Sequence, residues 1–515
     1  MADQRKELKF HKSMTADKRN ENFAYLAKGL ADVSADGLYP ARDYTEFTTM
    51  PTISSGIING IWGLPNYNMQ TKPYNKLYWL HNKGSYNFDW YRYGATTPAS
   101  SPAGITISGI VNARGTVYYT DGSDIRKASS LTSYASYSGA FDNTAGFFDG
   151  VYVWWIEQGG GDIWRWLPNN TPGASPVEKI FTNTPFQGIV KVDGYKDQMV
   201  IFDNDSNSSS FDGNNYVYFW DKANTTFFSK RIPIKGYILA GGVINEELYV
   251  VYSLANTGNP KEELGEIIVA QYNGEKFVEI NRIKAGGRFV NKFIDTGYEY
   301  LAGNACCNNE NFILFSVSVN QNTKDEIYRN YIYKVSKGGY ITVEAGPVNE
   351  SNINSVPIFI NTFRNFNVYI YGNKIYSNEE TDETNTEYTN YTKTTYITNF
   401  LCNPYNTHRL DALSLSFEKL FNAEELDIYY RTSDKESFVL LANITRQKVK
   451  DNVNKRIDQS TAVPTPSQRY QITKMPDGTA LPEFNEIQFK FVSKKGFSII
   501  GSWFDYDYIT RNTKK

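Results

Sequence analysis

A strand, a polar turn and a second strand recur seven times between residues 55 and 400, and this recurrence narrows the possible folds most sharply. The hairpins read LYWLHNKGSYNFDWYRYG, VYYTDGSDIRKAS, VYVWWIEQGGGDIWRWLPN, MVIFDNDSNSSSFDGNNYVYFWD, LYVVYSLANTGNPKEELGEIIVAQYNG, FILFSVSVNQNTKDEIYRNYIYKVSKGG and VYIYGNKIYSNEE. Each runs from an aliphatic-aromatic strand into a Gly/Asn/Asp/Ser-rich turn and out along another strand. Residues near the ends of the second strands, Tyr93, Lys127, Trp166, Trp220, Tyr272, Val335 and Tyr376, are spaced by 34, 39, 54, 52, 63 and 41 positions. That spacing averages about 47 residues, the range of four-stranded propeller blades. The longest intervals contain the longest polar loops, the kind of variation that stacked repeats tolerate. An all-β chain with a β-propeller of about seven blades over residues 51–400 is expected. A long sandwich array is the competing arrangement, but it leaves more strand edges open.

The flanks read differently. Residues 1–50 form an N-terminal arm in which Met14–Val33 predicts a short amphipathic helix, with Phe23, Leu26, Ala27 and Leu30 on one face. Asn378–Tyr396 is poor in aliphatics and reads as a connector or exposed outer strand. Residues 401–515 change periodicity: HRLDALSLSFEKL alternates, ELDIYYRTSDKESFVLLANI gives strand, turn and strand, and NEIQFKFVSKKGFSIIGSWFDYDYI supplies two more. This predicts a small jelly-roll-like β-sandwich.

Composition excludes several function classes. Lys plus Arg number 53 against 55 Asp plus Glu, for a net charge of −2, so neither nucleic acid nor an anionic membrane is the expected partner. No run of about 18 apolar residues marks a membrane span, and MADQRKELKF lacks the apolar core of a signal peptide. Synthesis in a cytoplasm is therefore expected. Cys306, Cys307 and Cys402 make neither a disulfide framework nor a zinc motif. Aromatic content is 15 %, with 39 Tyr, 31 Phe and 9 Trp, which suits pleated, half-buried surfaces.

The candidate sites are few. Trp154, Trp155, Trp164 and Trp166 occupy both arms of one hairpin. They form either a sugar-stacking platform or packing between blades, because alternate strand residues face opposite sides. Glu157 and Asp162 flank the triple-glycine turn and resemble the paired carboxylates of glycoside hydrolysis, though acids at a loop tip are common. Asp203, Asp205 and Asn207 start like a calcium loop, but Ser208 replaces the required glycine and Asn214 the bidentate glutamate. The histidines, His11, His81 and His408, fit no metal or triad pattern. No enzyme activity, metal or cofactor is expected.

Four elements of the C-terminal segment carry a family resemblance: Arg409–Phe417 as R-L-x-x-L-x-L-x-F, Tyr429–Thr432 as Y-Y-R-T, Glu486–Lys490 as E-I-Q-F-K, and the acidic aromatic strand Phe504–Tyr508. Together they resemble the terminal sandwich of tailed-bacteriophage virion proteins, which often follows a propeller-like region. The resemblance implies a structural protein of the tail, neck or tail tip. It further implies a symmetric homo-oligomeric ring, other virion proteins as partners, and residence in a virion assembled in the host cytoplasm. The alternative class is a glycan- or receptor-binding propeller, with glycosidase activity a more remote version and the four tryptophans contacting a host surface glycan.

Overall fold

A computed structural model describes residues 4–10, 13–15, 17, 19, 24–28, 38, 44–46, 57–63, 77–82, 88–92, 99–100, 107–128, 130–136, 144–169, 171–204, 215–223, 225–226, 228–254, 266–284, 288–289, 306–320, 328–345, 359–363, 366–371, 374–378, 394–402, 405–417, 425–445, 448, 468–493 and 499–508. They fall into two units. One comprises Thr45–Gly339 and Gly346–Glu379; the other comprises Met1–Tyr44, Tyr340–Ala345 and Glu380–Lys515.

The first unit is a succession of antiparallel sheets, and the first five take their strands in sequence order. Blade 1 contains Ile57–Gly63, Leu77–Asn82, Phe88–Arg92 and Ala99–Ser100, and blade 2 contains Ser108–Ala113, Thr116–Thr120, Asp124–Lys127 and Ser130–Ser136. Blade 3 is built of Thr144–Phe148, Val153–Glu157, Ile163–Trp166 and Val177–Phe181. Gly188–Tyr195, Gln198–Asn204, Asn215–Trp220 and Lys230–Ile234 make blade 4; Tyr237–Ile244, Glu247–Leu254, Glu266–Tyr272 and Phe277–Lys284 make blade 5. In blade 6, Arg288–Phe289 and Cys306–Asn308 both pair with Phe312–Asn320, which pairs with Tyr328–Ser336. Blade 7 joins Phe359–Phe363, Phe366–Tyr371 and Lys374–Ser377 to Thr45–Glu46, a strand from the other end of the sequence.

The first strands touch in cyclic order, and that of blade 7 meets that of blade 1. Among the described residues this makes a closed propeller of seven blades. The seven hairpins read from sequence are the second and third strands of these blades.

Local chemistry explains the repeat. Arg114–Gly115 and Asn245–Glu246 take left-handed φ values of 51°, 76°, 46° and 68°, and each pair links the first two strands of its blade. Two such residues form the hairpin turn whose twist matches its strands. Outer strands carry charge or proline, as in Glu178, Lys179, Arg231, Pro233, Glu279 and Arg282, which discourages further edge pairing. Apolar residues fill the spaces between blades. Ile61, Trp62, Trp79, Trp90, Tyr119 and Phe359 share one core across blades 7, 1 and 2.

The terminal unit has two sheets. The first runs Gln4–Glu7, Ile499–Tyr508, His408–Phe417, Gln468–Ile472, with Glu483–Phe484 also pairing His408–Phe417. The second includes, in order, Tyr340–Ala345, Ala24–Lys28, Thr394–Thr398, Gln488–Ser493, Glu425–Arg431 and Val439–Thr445. Phe489 of one sheet meets Phe504 of the other at 5.9 Å between ring centroids. Phe10 packs edge-on against Tyr396 and Phe491 at 5.4 and 5.6 Å.

Three expectations change here. The amphipathic helix expected over Met14–Val33 is not formed at its centre, because Ala24–Lys28 is a β-strand. Ala24 and Ala27 are fully buried, and pairing with two flanking strands gives the segment the tertiary packing without which a short helix is marginal. The residues expected to form a separate 1–50 arm are divided: 1–44 supply strands of the terminal unit, while Thr45–Glu46 closes blade 7. The terminal unit also begins before the expected boundary at 401, since Thr394–Thr398 is one of its inner strands. Most of the Asn378–Tyr396 connector lies outside the described residues.

Candidate functional site

The four tryptophans occupy the second and third strands of blade 3, and strand alternation sends them in opposite directions. Trp154 joins the core shared with blade 4, where its ring meets Trp220 edge-on at 5.5 Å. Trp155, Trp164 and Trp166 join the core shared with blade 2. Their exposures are 2 %, 0 %, 6 % and 0 % in sequence order. Of the two readings of these tryptophans, packing between blades is the one their burial fits, because a blade with neighbours on both sides buries both faces. Each indole removes about 150–250 Å² from water on full burial, worth about 4–6 kcal/mol as an upper bound.

Three of the four indole nitrogens are also engaged, while Trp166 Nε1 is buried without a hydrogen-bond partner. Trp155 Nε1 donates to the Gly109 carbonyl at 3.0 Å, and Trp154 Nε1 to Asp149 Oδ2 at 2.9 Å. Trp164 Nε1 donates to Glu157 Oε1 at 2.9 Å, while Asp162 N donates to Glu157 Oε2 at 2.8 Å. Burial raises the Glu157 carboxyl above its ordinary pKa, against the pull of the Asp162 amide and the Trp164 indole. Asp162 forms an ion pair with Lys179, whose ammonium lies 4.7 Å from the Trp164 ring centroid. The two acids thus hold the triple-glycine hairpin together.

Asp149 is a second organising carboxylate. Burial pushes its pKa upward, but Tyr152 N, Val151 N, Trp154 and Lys222 outweigh burial and lower it. Asp203, first residue of the calcium-like segment, accepts from Gln187 N at 3.1 Å and Gly188 N at 2.9 Å. Asp205, Asn207, Ser208 and Asn214 lie outside the described residues. Cys306 and Cys307 are buried, and burial raises both thiol pKa values, the opposite of a reactive thiolate. His81 is buried beside Tyr91, and His408 packs against Phe484 and Tyr506. His11 lies outside the described residues. Among those described, no group of His, Cys, Asp or Glu is arranged to hold a metal ion.

Sequence reasoning missed a set of polar clasps between blades. Asn204 Nδ2 donates to the Ile238 carbonyl while Ile238 N donates to Asn204 Oδ1, both at 2.9 Å. Asp193 Oδ2 accepts from Val243 N at 2.9 Å and from Asn308 Nδ2 at 2.7 Å, joining blades 4, 5 and 6. Gly242 permits this approach, since a Cβ there would come within 2.7 Å of Asn308 Cγ. Asn361 Nδ2 donates to the Ile61 carbonyl at 3.0 Å, tying blade 7 to blade 1. Only the Asn-rich composition hinted at these contacts, and Asn also marks ordinary turns.

No protein-family model and no curated protein matches the chain. Among solved structures, the chain is similar to YCF48 from Cyanidioschyzon merolae at 9 % identity, over 65 % of this chain and 98 % of that one, with a TM-score of 0.37. The Nup133 β-propeller domain of Vanderwaltozyma polyspora aligns at 11 % identity over 68 % of this chain and 99 % of its own, TM-score 0.38. An exo-beta-1,3-galactanase from Phanerochaete chrysosporium aligns at 8 % identity over 70 % and 95 %, TM-score 0.27. The propeller assignment stands on the strand order and the cyclic contacts. No helix among the described residues is long and apolar enough to cross a membrane.

Proposed function

We propose that this chain is a non-catalytic structural protein of a tailed-phage virion, with the propeller as a rigid platform. The terminal unit is its jelly-roll-like sandwich, and copies assemble as a symmetric ring at the tail, neck or tail tip. The observation that carries the non-catalytic part is the engagement of Glu157, which is occupied by Trp164 Nε1 and Asp162 N. The one hairpin with both tryptophans and paired acids spends them on its own packing, which favours a platform over a sugar cleft. The virion assignment rests on the resemblance of Arg409–Phe417, Tyr429–Thr432, Glu486–Lys490 and Phe504–Tyr508.

The test is purification of particles carrying the protein, with immunogold labelling. Label confined to the tail or neck at regular copy number supports the proposal. Absence from particles, or cleavage of host surface polysaccharide by the isolated chain, overturns it.

A further inference from the structure

Several seams of the propeller close on protein partners. Trp155 Nε1 reaches the Gly109 carbonyl between blades 2 and 3, Asn204 reaches Ile238 between blades 4 and 5, and Asn361 reaches the Ile61 carbonyl between blades 7 and 1. Between blades 1 and 2 the indole of Trp90 meets the ring of Tyr119 at 5.2 Å between centroids. Trp90 is 2 % exposed and Tyr119 0 %, yet neither Trp90 Nε1 nor Tyr119 Oη has a hydrogen-bond partner. Burial pushes the Tyr119 phenol up to about 12. Smaller opposing pulls come from Arg126 and from the Trp90 N–H, which faces the phenol oxygen without reaching hydrogen-bond geometry. Arg126 itself is paired with Asp121 and Asp124.

Asn112 Oδ1 is a third buried atom without a partner. Strand register puts it on the same side of blade 2. Asn112 pairs with Val117, and Val117 and Tyr119, two apart on one strand, both line the core shared with blade 1. Asn112 and Tyr119 are therefore diagonal neighbours, about 7–8 Å apart and within reach of an aromatic side chain. Trp79 Nε1 and Trp166 Nε1 also lack partners, but elsewhere. Trp79 pairs with Tyr91, the neighbour of Trp90, and so projects from the opposite face of blade 1, while Trp166 packs on the other face of blade 2.

We propose that the seam between blades 1 and 2 binds an ordered water, which accepts from Trp90 Nε1 and Tyr119 Oη and donates to Asn112 Oδ1. Buried polar groups are almost always bonded to protein or to ordered water. Two donors and one acceptor match a buried water, which typically makes about three hydrogen bonds to such groups. The water does for this seam what Asn204 and Asn361 do for theirs. The site is independent of where the protein acts.

The test is the crystal structure of the full chain, as wild type and as Tyr119→Phe, with denaturant unfolding of both. The wild type is expected to show an ordered water within about 3.2 Å of Trp90 Nε1, Tyr119 Oη and Asn112 Oδ1. Tyr119→Phe removes one of its three partners and is expected to lower the folding equilibrium constant of the propeller transition about five- to thirtyfold. The sign of that change discriminates, because deleting a buried hydroxyl that has no partner leaves stability unchanged or raises it. Absence of the water, a direct bond between Trp90 Nε1 and Tyr119 Oη, or a variant at least as stable as the wild type overturns the proposal.

Discussion

The propeller is built from neighbours in sequence, whereas the terminal unit is built from three segments that the propeller separates. Blades 1 to 5 each take all their strands from one continuous stretch of chain. In the terminal unit, Ala24–Lys28 sits between Tyr340–Ala345 and Thr394–Thr398, and Gln4–Glu7 lines Ile499–Tyr508. Local pairings close small loops, while distant ones carry the entropy of a long loop and form late. The difference teaches that the N-terminal residues are partners held in waiting for the end of the chain, not an accessory arm.

The largest test of that contrast is removal of residues 1–44, which leaves Thr45–Glu46 in place on blade 7. It deletes an inner strand and the buried Leu8, Phe10 and Met14. Losing those three side chains costs about 5–8 kcal/mol, comparable to the whole stability of a typical domain. Limited proteolysis is expected to degrade residues 380–515 while leaving the propeller core resistant. Equal resistance of both units would show that the N-terminal strands are dispensable.

Trp155→Ala probes the local architecture. Trp155 is fully buried between blades 2 and 3, so a loss of about 3–5 kcal/mol is expected in denaturant unfolding of the propeller transition. A change below about 1 kcal/mol would mean that the inter-blade core is loose.

The same contrast decides what could be read from the sequence. The seven hairpins were legible because their strands are aromatic, contiguous and separated by strong turn residues. First and fourth strands were harder: KRIPI at Lys230–Ile234 and VEKIF at Val177–Phe181 mix charge with aliphatics, as edge strands do. Ala24–Lys28 was misread because its strand partners lie beyond residue 339, while its local spacing is that of a helix. Periodicity placed the four tryptophans on alternating faces but could not say that both faces have neighbours.

Asn204→Ala sharpens the comparison further by testing a clasp that joins consecutive blades. It leaves Ile238 N and O without their side-chain partner, for an expected loss of about 1–3 kcal/mol in the same transition. A neutral result would assign blade registry to apolar packing alone.

Asp149→Asn has the smallest expected effect, and its signature lies in pH dependence. The native carboxyl titrates below its ordinary range, so the folded state binds fewer protons than the unfolded state there. Its stabilisation is present above the unfolded pKa and is lost as pH falls through the folded one. The variant is therefore expected to be less stable at pH 7 and to have a shallower acid limb in the propeller transition. An unchanged acid limb would show that Asp149 does not contribute through its charge.

The most direct measurement of the assembly claim is electron microscopy of the purified full-length chain, paired with its native mass. A closed ring of identical copies with rotational symmetry is the expected result. A chain that remains a monomer at every concentration, with no symmetric particles, would contradict it.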